Sequence, residues 1–174
     1  PHNPTGAVIS KDDIRELERI VSSNNIYIIS DEVYEHIVFD NKVHHSLLTS
    51  DILRKKTFAT YSFGKSLHIT GWKLGYCIAP RNLMEEFRKV HQYNVFSCNS
   101  PAQYAIADYI DNTSPFDKIS EIYEKKRDLF LKKIMKKSKK SENPIFYILF
   151  KNGLCTISGP LASLERFQNL FFRL

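Results

Sequence analysis

Two residue types that enzymes use for covalent and acid–base chemistry follow predicted strands. Asp31 comes directly after the apolar run 26–29, and Lys65 comes shortly after a second predicted strand at 57–61. Ligand-binding residues of open α/β sheets lie at the carboxyl ends of strands. A lysine there is a useful nucleophile if its pKa is lowered or if it forms a Schiff base. Taken alone, Asp31 fits a helix cap better, and Lys65 fits an exposed side chain.

The spacing Ser62-x-x-Lys65 also occurs in serine acyl-transfer enzymes such as penicillin-binding proteins. Those enzymes carry Ser-Asp-Asn and Lys-Thr-Gly motifs as well, and this sequence contains neither of them. We therefore set acyl transfer aside.

Two glycine-containing turns complete the set of candidate residues. Asn3-Pro4-Thr5-Gly6 is typical of a tight turn that leads into a helix. Further along, Lys73 lies between Gly71 and Gly75, and flanking glycines allow a backbone and a cation to approach a phosphate closely. Each pattern is weak by itself.

Strands and helices that could position these residues alternate along the chain with short connections, which predicts α/β architecture. Strands are expected at 26–29, 57–61, 74–79 and after Pro144, and helices from Ser10, over 83–94, from Ser100 and over 119–134. The first strand is apolar throughout, so we expect burial on both faces, as in a parallel sheet. The linker-like stretch Asn112 to Pro115 predicts one domain over 1–112 and a second over 113–174.

The bulk composition is that of an ordinary soluble globular protein, with 43% hydrophobic and 25% charged residues. No run approaches the roughly 20 apolar residues that a membrane helix needs, so we expect no membrane partner. The three cysteines are widely spaced, which fits a reducing compartment, and we expect the cytoplasm.

Basic residues are concentrated in one segment, with nine of them between Lys125 and Lys140. We interpret this segment as a solvated helix face running into a loop. Aromatic residues are not interleaved with the charges, so we do not expect a nucleic-acid site.

Other polar and aromatic residues are expected to have structural roles. His44 and His45 have no acidic cluster beside them, so we expect surface residues and no metal site. Trp72 is expected to be a packing anchor. Three tyrosines are assigned to the core or to an interface: Tyr104, Tyr109 and Tyr123.

Four motifs follow one another along the chain: Asn3-Pro-Thr-Gly6, Asp31-Glu-x-Tyr34, Ser62-Phe-Gly-Lys65 and Gly71-Trp-Lys-x-Gly75. Together, and in this order, they resemble the motifs of the fold-type-I, class I/II aminotransferases, which depend on pyridoxal 5′-phosphate. The segments Val90-His-Gln-Tyr93, Phe96-Ser-Cys98 and Pro101-Ala-Gln103 are similar to the kynurenine and methionine aminotransferase branch, as is Lys73 where aspartate aminotransferases usually carry arginine. The resemblance extends from residue 1 to about residue 135.

The resemblance implies a fold and a role for each residue. The chain would form part of the large domain, a mixed and mostly parallel sheet flanked by helices, followed by the start of a small α+β domain. Lys65 would join the cofactor aldehyde as a Schiff base and act as the general acid and base. Asp31 would keep the pyridine nitrogen protonated, which makes the ring an electron sink.

Five further residues receive roles from the same resemblance. Tyr34 and Asn3 would donate hydrogen bonds to the phenolic oxygen of the cofactor ring. Ser62 and Lys73 would contact its phosphate. Phe96 would reach the active site of the neighbouring subunit in a homodimer.

The implied reaction is a ping-pong transfer of an amino group from an amino acid to a 2-oxo acid. Large, aromatic or sulfur-containing substrates such as kynurenine, methionine or glutamine are expected. Two alternatives stay open: a cysteine-conjugate β-lyase of the same fold and a truncated, non-enzymatic relic. The family's glycine-rich phosphate-binding segment is not found here, so we expect an incomplete chain that is inactive alone. Arg166 and Arg173 do not fit the context of a substrate-carboxylate arginine, and neither is assigned.

Overall fold

The computed structural model describes residues 1–3 and 5–138, with side chains described up to Lys133. Its helices and strands are α1 (Lys11–Ser23), β1 (Ile28–Asp31), β2 (Thr57–Ser62), α2 (Phe63–Ser66), β3 (Gly75–Ile78), α3 (Arg81–Asn94), α4 (Ser100–Asn112) and α5 (Ile119–Ser138). Short 3-10 turns cover Leu47–Thr49, Leu53–Lys56 and Thr70–Trp72. The strand predicted after Pro144 lies outside the described residues.

The three strands form one mixed sheet in the order β1-β2-β3. β1 is parallel to β2, with Asp31 opposite Thr60, and β2 is antiparallel to β3, with Ser62 opposite Gly75. The predicted α/β fold, with a mixed sheet flanked by helices, is confirmed. Among the described strands there is one parallel and one antiparallel pair.

The two faces of the sheet have different surroundings, because side chains alternate along each strand. Ile28 lies on the first face, where it packs against a buried core of Val21 from α1 with Leu47 and Leu53. Ile29 lies on the second face and is 79% exposed. The prediction that this strand is buried on both faces is therefore wrong, because the α1 layer covers only the first face.

α1 begins where the sequence predicts. The Ser10 hydroxyl accepts a hydrogen bond from the Asp13 amide at 3.1 Å, and the Asp13 carboxylate accepts one from the Ser10 amide at 2.8 Å. This capping box satisfies two donors that a helix start leaves free. It also sets the phase of the helix, so that Val21 reaches the core beside β1.

α3 and α4 carry several exposed aromatic side chains. Phe87 of α3 packs on Phe58 of the second sheet face, with ring centroids 6.3 Å apart. Tyr104 and Tyr109 of α4 are exposed, so they are not core residues. Trp72 is about half exposed, and its expected role as a packing anchor is not found.

α5 follows the predicted linker and carries the first part of the basic segment. The four lysines of that segment whose side chains are described are exposed on the helix: Lys125, Lys126, Lys132 and Lys133. This agrees with a solvated helix face over that part of the segment. Among the described helices, none is long and apolar enough to span a membrane.

Candidate functional site

The candidate site lies at the carboxyl ends of β1 and β2, on the second face of the sheet. Asp31 ends β1 and Ser62 ends β2. Asp31 is level with Thr60 on the parallel neighbour, so Ser62 lies two residues further along the same face. The Asp31 carboxylate is exposed and accepts a hydrogen bond from the Val33 amide at 3.2 Å, which fixes its orientation.

Lys65 follows at once, because β2 runs directly into the single turn of α2. The Ser62 hydroxyl caps this turn by accepting a hydrogen bond from the Gly64 amide at 3.1 Å. The Thr70 hydroxyl donates to the Gly64 carbonyl at 2.8 Å. A Cβ atom at Gly64 would lie 3.1 Å from both the Ser62 hydroxyl and Thr70 Cα, so glycine suits this tight turn. The turn leaves the Lys65 side chain partly exposed.

Lys73 lies at the same edge of the sheet, just before β3. Its φ of 55° is in the left-handed region, which non-glycine residues rarely adopt. Gly75 pairs with Ser62, and a Cβ atom there would lie 2.3 Å from the Tyr61 carbonyl oxygen. The missing side chain at Gly75 thus lets the Lys73 segment approach β2 closely.

Asn3 and Tyr34 are joined across 31 positions of the chain. The Asn3 side-chain amide donates a hydrogen bond to the Tyr34 hydroxyl at 3.3 Å. Tyr34 comes three residues after Asp31, so this hydrogen bond holds Asn3 near the end of β1.

The structure therefore brings six predicted residues to one edge of the sheet: Asn3, Asp31, Tyr34, Ser62, Lys65 and Lys73. Phe96 lies between α3 and α4, with a φ of 63° and a side chain that is 76% exposed.

Behind Asp31, the buried carboxylate of Glu32 organises the first face of the sheet. Glu32 is 4% exposed. It accepts hydrogen bonds from the Ser30 hydroxyl at 3.0 Å, the Leu47 amide at 3.2 Å and the Tyr61 hydroxyl at 3.1 Å. The fourth partner is His44, whose Nε2 lies 3.0 Å away and must donate, because an ionised carboxylate only accepts.

These contacts decide the charge of Glu32. Burial alone would raise its pKa, but hydrogen bonds from His44, Ser30 and the Leu47 amide outweigh burial and lower the pKa to about 2. Burial, together with the nearby Glu32 charge, raises the pKa of Tyr61 to about 12. Glu32 is thus a fixed negative charge with neutral Tyr61 beside it.

This network was not predicted from the sequence, and the expectation that His44 lies on the surface is wrong. His44 is mostly buried against Glu32 and is not a surface residue. The sequence does contain one indication of this network. Side chains alternate between the two faces of a strand, so Glu32, directly after Asp31, is expected on the face opposite the candidate site.

The chain matches the family model "Aminotransferase class I and II" over residues 1–165. The resemblance was expected to end at about residue 135, and the family match extends beyond that residue.

Two relatives and two solved structures each cover about three quarters of the chain. A methionine aminotransferase of Escherichia coli strain K12 is 44% identical over 132 residues, which are 75% of this chain and 34% of the relative. A kynurenine–oxoglutarate transaminase of Dictyostelium discoideum is 38% identical over 136 residues, 75% of this chain and 31% of the relative.

Among solved structures, a methionine aminotransferase from Escherichia coli has a TM-score of 0.73 at 44% identity and covers 76% of this chain and 35% of its own. The N-succinyldiaminopimelate aminotransferase of Mycobacterium tuberculosis has a TM-score of 0.74 at 32% identity, over 78% of this chain and 36% of its own. The chain spans about a third of the length of these relatives. It belongs to the class I and II aminotransferase family, whose cofactor is pyridoxal 5′-phosphate.

Proposed function

We propose that the protein is an aminotransferase that holds pyridoxal 5′-phosphate between Lys65 and Asp31. One observation carries the proposal: the turn with Lys65 follows β2, and the parallel neighbour β1 ends on Asp31 at the same edge. The cofactor has an aldehyde that reacts with an amine and a ring nitrogen that pairs with a carboxylate. The groups at this edge of the sheet fit both needs.

When bound, the cofactor supplies an electron sink for negative charge at the substrate Cα atom. The Nζ atom of Lys65 would hold the cofactor through its aldehyde, with loss of water. Once a substrate amine has displaced it, the same nitrogen would move a proton from the substrate Cα atom to the former aldehyde carbon. Asp31 would hold a proton on the ring nitrogen, because opposite charges favour each other's charged forms. The Val33 amide keeps the Asp31 carboxylate turned in one direction.

The remaining residues at the site orient the cofactor. Tyr34 and Asn3, which are hydrogen-bonded to each other, bind the phenolic oxygen of the ring. Ser62 and Lys73 bind the phosphate, a role that suits a hydroxyl at a helix start and an exposed cation. The exposed Phe96 reaches the site of a second subunit in a homodimer.

The substrates we propose are an amino acid with a large, aromatic or sulfur-containing side chain and a 2-oxo acid. The 44% identical methionine aminotransferase and the 38% identical kynurenine transaminase support this choice. We also propose a domain division near residue 112, after α4, and a cytoplasmic location, which fits the free thiols of Cys77 and Cys98.

Reductive labelling tests the cofactor site. The protein at its natural full length is incubated with pyridoxal 5′-phosphate and reduced with borohydride, and its peptides are analysed by mass spectrometry. We expect the phosphopyridoxyl group on Lys65, none on a Lys65→Ala variant, and normal labelling of Lys65 in a Lys55→Ala control, because Lys55 is an exposed lysine that precedes the opposite end of β2. Equal labelling of many surface lysines, with no preference for Lys65, would remove the proposal.

Product analysis tests the reaction and the substrate. Methionine, kynurenine and aspartate are each offered with a 2-oxo acid acceptor. Release of the 2-oxo acid of methionine or kynurenine, faster than that of aspartate, is the expected result. Pyruvate and a thiol formed from an S-substituted cysteine, without transamination, would indicate elimination instead.

A further inference from the structure

One face of α5 contacts two loops that each carry a residue of the candidate site. We name these the Tyr34 loop (residues 32–43) and the Lys65 loop (residues 63–74). Each contacting residue of α5 has another one three or four positions away, so together they share one side of the helix: Ser120, Tyr123, Glu124 and Arg127.

Arg127 makes the main contact with the Tyr34 loop. Two guanidinium nitrogens each lie 2.8 Å from a different carboxylate oxygen of Asp40, and the guanidinium lies 4.9 Å from the ring centre of Phe39. Glu124 accepts a hydrogen bond from the Asp40 amide at 2.9 Å. The Ser120 hydroxyl donates to the Val38 carbonyl. Three residues on one side of α5 thus hold the loop between Val38 and Asp40.

The held segment has an unfavourable backbone conformation. Asp40 and Asn41 have φ values of 58° and 56°, both in the left-handed region. Non-glycine residues persist there when their surroundings hold them. Hydrogen bonding to Arg127 lowers the pKa of Asp40, so the loop presents a carboxylate to α5 at neutral pH.

Tyr123 makes the contact with the Lys65 loop. Its hydroxyl lies 3.3 Å from Nδ1 of His68, and the two rings stack with centroids 5.7 Å apart. His68 comes three residues after Lys65 and has a φ of 59°. A strained, non-glycine residue beside the candidate lysine is therefore held by a side chain from α5.

Contacts from α5 therefore reach both loops. Ser120, Glu124 and Arg127 hold the loop that carries Tyr34, and Tyr123 holds the turn that carries Lys65. Burial and the charged form of Tyr34 both raise the pKa of Tyr123, and the hydroxyl of Tyr34 accepts the hydrogen bond from Asn3.

We propose that Tyr123 and Arg127 are positioning residues: from one face of α5 they hold the Lys65 loop and the Tyr34 loop at a fixed separation, so that Lys65 and Tyr34 act on the same ligand. This inference rests on the proposed function for the identity of the ligand. The contacts themselves do not depend on it.

The first experiment measures hydrogen–deuterium exchange of the natural-length protein without cofactor. Tyr123→Phe keeps the ring and removes the hydroxyl, and we expect about ten-fold faster exchange in the Lys65 loop. Arg127→Ala should have the same effect in the Tyr34 loop. Arg127→Lys should keep only part of the protection from exchange, because a lysine ammonium cannot form the bidentate pair with the Asp40 carboxylate. Lys125→Ala is the control, because Lys125 pairs with Glu121 on the exposed side of α5.

The second experiment measures affinity for pyridoxal 5′-phosphate. Tyr123→Phe and Arg127→Ala should each weaken it about ten-fold, with the borohydride label still on Lys65 and thermal unfolding close to that of the control. His68→Ala keeps a strained φ without the stacked ring, whereas glycine adopts that φ freely. His68→Ala should therefore weaken cofactor binding more than His68→Gly does.

The outcomes separate the two proposals. Exchange and affinity equal to those of Lys125→Ala would overturn the role of α5, as would uniformly faster exchange with a lower melting temperature, which indicates general destabilisation. If wild-type protein carries no label on Lys65, the proposed function fails, and the exchange data still decide whether α5 holds the two loops.

Discussion

Asp31 and Glu32 are neighbours in sequence, and their carboxylates lie on opposite faces of the sheet. Asp31 is exposed at the candidate site, whereas Glu32 is 4% exposed and accepts four hydrogen bonds. The buried carboxylate joins the end of β1 to β2 through Tyr61 and to the following loop through His44. The exposed carboxylate is therefore attached to a backbone that has little freedom to move.

Replacement of Glu32 by Gln should change how stability depends on pH. The pKa of Glu32 is lowered from 4.5 to about 2, so its stabilising contribution is present above pH 4.5 and is lost as pH falls toward 2. The shift corresponds to about 3 kcal/mol. We expect Glu32→Gln to be less stable near neutral pH and to lose less stability across that acidic window than wild type. Urea denaturation over a pH series measures both. Parallel curves for the two proteins would contradict the assignment.

The adjacent histidines provide a matched pair. His44→Ala removes a donor from the buried Glu32 carboxylate and should cost about 2 kcal/mol of unfolding free energy. His45→Ala, one residue further along the same loop, should cost less than about 1 kcal/mol. Chemical denaturation of the two variants compares them directly, and equal losses would show that the contact of His44 with Glu32 contributes nothing.

Local patterns predicted the elements that carry Asp31 and Lys65, because apolar runs, the helix start at Ser10 and the order of motifs can all be seen in the sequence alone. The exposure of Ile29 and the burial of His44 could not be predicted in this way, because each depends on what packs against it. Tyr123 is a clear case: its partner His68 is 55 positions away. The assignment of Tyr123 to core or interface left that partner unnamed, and helical periodicity contains no information about it.

The two glycines that flank Lys73, Gly71 and Gly75, should respond differently to alanine. A Cβ atom at Gly75 would lie 2.3 Å from the Tyr61 carbonyl oxygen, so Gly75→Ala must push β3 away from β2. We expect a loss of about 3 kcal/mol and weaker cofactor binding. Gly71→Ala is the control, because a Cβ atom there would meet nothing within 4 Å, and its stability should change by less than about 0.5 kcal/mol. Unfolding curves for both variants test this, and a neutral Gly75→Ala would contradict the close approach of the strands.

Asp31→Asn separates the charge of the site from its shape. The side chain is exposed and keeps its size, so the fold should lose less than about 0.5 kcal/mol. Loss of a hydrogen bond between opposite charges should weaken binding of pyridoxal 5′-phosphate about 10- to 100-fold. Lys65 should still be labelled at high cofactor concentration. Asp51→Asn, at another exposed aspartate, should bind as wild type does. The proposed role of Asp31 is to hold a proton on the ring nitrogen. Unchanged affinity and turnover in Asp31→Asn would therefore show that Asp31 does not have this role.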